Sequence, residues 1–294
     1  MKVDFIRDMK AEMHEALSES GIRIPIRSDF NTMLLDYLTI HKKIIKPIPR
    51  KVQVNPDFEK AISGHQKKVE IEKIQNRLQE GLDVNMFQNK RLFQSKFHDH
   101  LLYEWNIYHF HLSLNQIKKK FVKQVNHLLF AFIKDDIAIL LGTETHKKGI
   151  FADTIWIEIL AKHFPEQLDE YHAKDTLDFT PHVNSVERQL LWDKGYTLGM
   201  TKVGDKIYVS PGIGRTTSGH SSLVVMQSHN IIRWVGYLTK CFETHWDKAC
   251  DALGIPSDCD LKLIIGDVTL EIIERKSLKT ILVFPNEIPG LAIV

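Results

Sequence analysis

Apolar positions recur at helical spacing over residues 3–19, where Phe5, Ile6, Met9, Met13, Ala16 and Leu17 alternate with acids. The pattern predicts an amphipathic helix that SGIRIPIRSD breaks. A second helix follows, with Ser28 or Asp29 as N-cap and Phe30, Met33, Leu34, Tyr37 and Leu38 on its apolar side. It ends before Pro47 and Pro49, because proline disfavours helix in the residue ahead of it. KPIPRKVQVNP then reads as a basic, extended arm or edge strand. Residues 58–82 predict a charged helix stopped by Gly81, and residues 87–104 another.

From residue 106 the pattern alternates instead, and 106–113 predicts a strand. HLLFAFI and IAILLGTE flank Lys134-Asp135-Asp136 as the two strands of a hairpin. A helix is expected over 153–164, closed by Pro165, and another over 186–193. Gly204-Asp205 marks a second hairpin between TLGMTKV and KIYVSP. The glycine- and serine-rich PGIGRTTSGHSS reads as a loop and LVVMQ as a short strand. Ser228 then caps a helix that runs to about Leu253 and stops at Gly254. LKLIIG, VTLEII and TILVF form a closing antiparallel meander. The predicted class is α+β: N-terminal helices (1–86), a central antiparallel sheet with flanking helices (87–168) and a C-terminal α+β part (178–294).

With 294 residues and a net charge of +2, the chain is globular in composition and too nearly neutral to nominate nucleic acid on charge alone. Asp4, Asp8 and Glu12 interrupt the N-terminus, so no secretory signal is expected. The longest apolar candidate, 127–142, is broken by Lys134, Asp135 and Asp136, short of the roughly 20 residues that span a bilayer. Cys241, Cys250 and Cys259 match neither a disulfide framework nor a zinc pattern. A soluble, cytoplasmic protein without a membrane partner is the expectation.

Fifteen histidines redirect attention to chemistry. Alternation puts His109 and His111 on one face of their strand, opposite Phe110, Leu112 and Tyr108. Two such imidazoles can share acid–base work, one neutral and one charged, or ligate a metal, or simply occupy the wet face of a sheet. His98 and His100 fall on the predicted helix and point apart, which weakens a four-histidine metal site. At the hairpin end, His146-Lys147-Lys148 joins a proton carrier to cations that stabilise a phosphate's developing charge. RNA cleavage by its own 2′-hydroxyl needs those elements and no metal.

The run HLLFAFIKDDIAILLGTETHKKGIF resembles the central hairpin of the RelE-like ribonuclease toxins, over about 40 residues from 109 to 150. In that family a core strand turns through short acidic residues into a strand with a basic, often histidine-containing tail. The chain departs from the family in carrying more than a hundred residues on each side. His127 stands near the place of the family's usual arginine, and the helix at 153–164 is longer than the family pattern.

Gly214-Arg215-Thr216-Thr217-Ser218-Gly219-His220-Ser221 has P-loop spacing, but His220 replaces the lysine and a strand is predicted where a P-loop needs a helix. A self-bonded hairpin loop is expected, with Arg215 and His220 as secondary phosphate contacts. His111-Leu112-Ser113-Leu114 and His220-Ser221-Ser222-Leu223 resemble the paired motifs of the two-histidine phosphoesterases, where two strands each present a histidine and a hydroxyl. Basic residues cluster at Lys42, Lys43, Lys46, Arg50 and Lys51, and again at Lys118, Lys119, Lys120 and Lys123.

The leading expectation is a toxin- or defence-type endoribonuclease with no metal and no cofactor. Its catalytic residues would be His109, His111, His146, Lys147 and Lys148. Lys118, Lys119, Lys120, Lys123, Arg215 and His220 would contact nucleic acid. Expected partners are RNA, at the ribosome or free, an antitoxin or regulatory protein, and further copies of the chain. Two readings stand beside it: a non-enzymatic module binding nucleic acid or protein, and a histidine–metal hydrolase, for which HExxH spacing and a compact carboxylate cluster are lacking.

Overall fold

The computed structural model describes residues 3–19, 29–117, 120–174, 183–265 and 269–285. They form two compact units, one from 1–39 with 224–294 and one from 40–223. The chain therefore does not divide into the three consecutive stretches expected, because its two ends share one core.

That unit contains α1 (Phe5–Glu19), most of α2 (Phe30–Lys43), α8 (Ser222–Thr244), α9 (Trp246–Leu253) and the antiparallel strands β9 (Leu261–Ile265), β10 (Thr269–Glu274) and β11 (Thr280–Pro285), in the order β11-β10-β9. Phe5, Met9 and Met13 pack with Leu34, Val235, Phe242, Leu261 and Leu263. Asp29 caps α2 by accepting from Thr32 N at 3.0 Å. Buried Asp8 accepts from Arg275 Nη2 at 2.9 Å and from the backbone of Leu263, tying α1 to the meander.

The second unit is built on a sheet in the order β1-β6-β5-β2: β1 (Lys51–Val54), β2 (Ile107–His111), β5 (His127–Ile133) and β6 (Ile137–Thr145). β2, β5 and β6 run antiparallel, whereas β1 pairs with β6 in parallel, so the predicted arm is an edge strand of a mixed sheet. The hairpin turns at 134–136 as expected, with a bulge between Phe130 and Ala131. Both faces of the sheet are covered. Leu129, Ala131, Ile133, Ala138 and Leu140 pack with Phe58 of α3 (Pro56–Ile62) and with Ile71, Ile74 and Leu78 of α4 (Lys68–Glu80). Leu128, Phe130, Phe132, Ile139 and Leu141 pack with Trp156, Ile157 and Leu160 of α6 (Ile155–His163). Alternating apolar residues meet one layer and the residues between them the other.

Helix prediction fails in three places. The charged helix is two, α3 and α4, with Gly81 as the left-handed cap of the second. The helix expected over 87–104 is mostly turns, and only α5 (His100–Trp105) is helical, started by Asp99, which accepts from Leu102 N at 3.1 Å. LVVMQ is not a strand: it lies in α8, with Ser228 inside that helix rather than capping it. The remaining predicted elements are present as α7 (Ser185–Asp193) and the hairpin of β7 (Met200–Val203) and β8 (Lys206–Val209), and the short β3 (Gln116–Ile117) and β4 (Phe121–Val122) pair as a small hairpin. No helix among the described residues is long and apolar enough to cross a membrane.

α5 matters out of proportion to its length. Asn106 adopts φ 55° and caps it through its own N–H to Leu102 O, so the chain turns straight into β2. The carbonyls of Tyr103 and Glu104, left over at the helix end, accept from Gly214 N and Gly212 N at 3.2 and 3.0 Å. The loop backbone sits so close that a Cβ at Gly212 would lie 1.8 Å from Tyr103 O. Gly212→Ala should therefore cost about 2 kcal/mol or more in denaturant unfolding, while Gly64→Ala, with nothing within 4 Å, should stay within about 0.5 kcal/mol of the native protein.

Candidate active site

The second unit encloses a cavity of about 280 Å³ lined by His98, His100, His109, His111 and His146, together with Asp99, Arg91, Asn89, Gln189, Phe97, Phe151 and Trp192. Three parts of the fold deliver the imidazoles. β2 supplies His109 and His111 from one face, their rings 6.4 Å apart and nearly perpendicular. The turn into α5 supplies His98 and His100 on either side of the capping Asp99. The end of β6 supplies His146, held by its N–H to Asn126 O at 2.7 Å, with its ring 5.2 Å from Phe151.

The strand alternation placed His109 and His111 correctly, but their face is not wet. It is the face of Leu128 and Phe130, and His111 is 5% exposed. Covering it removes water from the imidazoles, which disfavours their charged forms. Burial is the main cause of the lowered values of His98, His100 and His111, each down to about 4. Nearby positive charge, from His220 and Arg215 for His98 and from Arg215 for His100, adds to it. His109 is also lowered by burial, opposed by Asp99, whose Oδ2 lies 3.4 Å from His109 Nδ1.

His98 Nδ1, His100 Nδ1 and His111 Nε2 are buried without a hydrogen-bond partner among the described residues, and His109 Nδ1 has the Asp99 carboxylate at 3.4 Å in place of a hydrogen bond. His111 Nδ1 lies 2.9 Å from Val125 O and 3.3 Å from Val125 N, and the shorter contact, to the carbonyl, assigns the proton to Nδ1. Donation there leaves Nε2 with a lone pair, the form a general base needs. Among the described residues, no three of His, Cys, Asp and Glu are grouped as a metal site.

One wall rests on a buried ion pair. Glu104 accepts from Arg188 Nη1 at 2.6 Å and from Trp192 Nε1 at 2.8 Å, and Arg188 Nη2 donates to Thr201 Oγ1 at 3.0 Å. Burial nevertheless holds the Glu104 carboxyl above its ordinary range, against the pull of Arg188 and Trp192. Trp192, fixed by that bond, stacks on His100 with ring centres 5.0 Å apart and planes 12° from parallel.

The other predicted site residues lie elsewhere. Lys147 pairs with Glu144 at 2.8 Å and lines a shallower cavity of about 560 Å³ with His65 and Trp156. Lys148 is exposed and lines neither cavity. Arg215 donates to Trp192 O behind the cavity wall, and the ring of His220 stands 5.6 Å from that of His98. Lys120 and Lys123 are exposed, and Lys118 and Lys119 lie outside the described residues. The loop is a self-bonded turn rather than a P-loop: Thr216 N bonds His220 O, Gly219 N bonds Thr216 O and Ser222 N bonds Gly214 O, and His220 stands where a P-loop has its lysine. Ser222 opens α8, which removes the second strand that a two-histidine phosphoesterase requires.

Sequence reasoning missed His98, Asp99 and His100 as one group, and with them Arg91, Gln189 and Trp192. The capping Asp99 was the available signal; a cap there puts its two flanking histidines in a turn, where they need not diverge as on a helix.

The lowered imidazoles have a consequence for stability. Unfolded histidines take protons near 6.5 whereas these three resist until about 4, so acidification across that window favours the unfolded chain. Denaturant midpoints should fall as pH drops from 6.5 to 4, and His111→Gln should make the fall shallower. Arg188→Met should cost about 3–5 kcal/mol by stranding Glu104, with Glu104→Gln better tolerated in the same unfolding measurement.

In comparisons with family models, with curated proteins and with solved structures, nothing matches this chain.

Proposed function

We propose that the chain is an endoribonuclease that cleaves RNA in the histidine-lined cavity by acid–base chemistry, in a toxin- or defence-type role. The observation that carries the reading is the convergence on one cavity of buried imidazoles, three of which keep a ring nitrogen without a hydrogen-bond partner among the described residues, and the guanidinium of Arg91. Its volume suits a nucleotide rather than a folded polymer. The resemblance of residues 109–150 to the hairpin of the RelE-like toxins points the same way.

The neutral Nε2 of His111 takes the 2′-hydroxyl proton, and O2′ attacks the adjacent phosphorus. The bond from phosphorus to O5′ breaks, and O5′ takes a proton from the imidazolium of His146. Products are a 2′,3′-cyclic phosphate and a 5′-hydroxyl. His146 suits the acid role by position, as the exposed histidine of the cavity lining. Arg91, also exposed, steadies the non-bridging oxygens, the part the sequence reading had given to Lys147 and Lys148. Asp99 stabilises positive charge on His109 as protons redistribute.

The test is cleavage of end-labelled RNA by the full chain in EDTA, with product ends identified. His111→Ala and His146→Ala should each lower kcat/KM about 100-fold or more, and Lys147→Ala with Lys148→Ala should leave it within a few-fold. The acidic limb should fall near the His111 value of about 4 rather than near 6.5, because the base works only while neutral. Full activity in a His109→Ala, His111→Ala, His146→Ala variant would sink the proposal. Activity lost in EDTA, with stoichiometric zinc in the protein as purified, would instead favour the histidine–metal hydrolase.

A further inference from the structure

No residue between Asp83 and Asp99 is acidic, nor any between Glu104 and Asp135. The fold joins these acid-free stretches. Phe93 of the first packs on Phe121 of the second with ring centres 5.8 Å apart, and Gln124 Nε2 donates to Gln88 O at 3.2 Å. The first stretch is held from below by buried Lys43, whose ammonium donates to Gln94 O and Phe97 O at 2.6 and 3.1 Å.

On this platform aromatic rings carry cations. Arg91 lies over Phe97 at 4.4 Å and Lys120 over Phe93 at 4.9 Å. Lys90, Lys96 and Lys123, close to them in sequence, are exposed. Arg91 and Phe97 also line the histidine cavity, so the platform and the cavity are continuous.

We propose that the platform of Arg91, Phe93, Phe97, Lys120 and Phe121 is a track for single-stranded RNA, leading the strand into the cavity at Arg91 and Phe97. The proposal rests on the ribonuclease reading for its direction, although the track's preference can be tested without cleavage. An unpaired base can stack on a ring and displace the exposed cation that covers it, and the freed cation then meets the neighbouring phosphate. A duplex offers the phosphates but keeps its base faces inside. An acidic peptide offers charge but nothing for the rings.

The experiment is fluorescence anisotropy of the full chain with a short 2′-O-methyl oligouridine and with a 2′-O-methyl hairpin duplex, neither of which can be cleaved through O2′. The single strand should bind about tenfold or more tightly than the duplex. Phe93→Leu with Phe121→Leu, which keeps apolar bulk, should remove most of that difference. Lys120→Ala should reduce the slope of log affinity against log salt by about 0.7. Equal affinity for duplex and single strand, unchanged binding by the leucine variant, or displacement of the strand by poly-glutamate as readily from the leucine variant as from the native protein would overturn the track. Because these RNAs are inert, a protein that binds them as described but cleaves no RNA keeps the track and loses the ribonuclease. One that cleaves RNA without preferring single strands does the reverse.

Discussion

Burial of both faces of the four-stranded sheet sets the character of everything around it, because such a sheet leaves no wet side for a polar strand residue. β5 from Leu128 onward and β6 as far as Leu141 are apolar and satisfy this constraint directly. β2 does not: His109 and His111 stand on the face of Phe130 and Trp156, in a position that elsewhere on the sheet holds hydrocarbon. The polar atoms that result are costly unless partnered, and His109 Nδ1 and His111 Nε2 lack a hydrogen bond among the described residues, on side chains that line a cavity. Stability alone does not explain that arrangement, and the proposed function rests on it.

The same constraint couples electrostatics to architecture. Dehydrating an imidazole holds it neutral, and placing further histidines and Arg215 nearby reinforces the effect. Asp99 supplies the opposing charge, and it is fixed by its second duty as the cap of α5. Trp192 is fixed by the Glu104–Arg188 pair, so the wall against His100 rests on groups that never reach the cavity. A short helix with a polar cap, a left-handed Asn106 at its end and a loop seated on its last carbonyls thus holds the histidine pairs of two segments in register.

Much of this was legible in local sequence. Alternation in IYHFH put both histidines on one face, and the acidic turn between two apolar runs announced the hairpin that brings His146 to them. Gly81, Asp29 and Gly254 act at helix ends as their chemistry requires. Non-local events were not legible. Whether the histidine face was wet depended on what covered it. That His98 and His100 join it depended on a helix starting at Asp99 rather than near Phe87. LVVMQ misled because a short β-branched run resembles a strand, although the buried positions Val224, Ser228, Ile231, Val235, Leu238 and Phe242 carry helical spacing through it. Lys147 and Lys148 followed His146 in sequence, but Lys147 turned to Glu144 and its charge was spent there.

The central claim is that the cavity holds His98, His100 and His111 dehydrated and neutral, with the lone pair of His111 on Nε2. Long-range proton–nitrogen NMR of the imidazoles across a pH series tests it most directly. The account predicts a His111 signal with the pattern of the Nδ1–H tautomer, unchanged through pH 6 and titrating near 4. Titration of His111 near 6.5, or a proton on Nε2 in the neutral form, would contradict it.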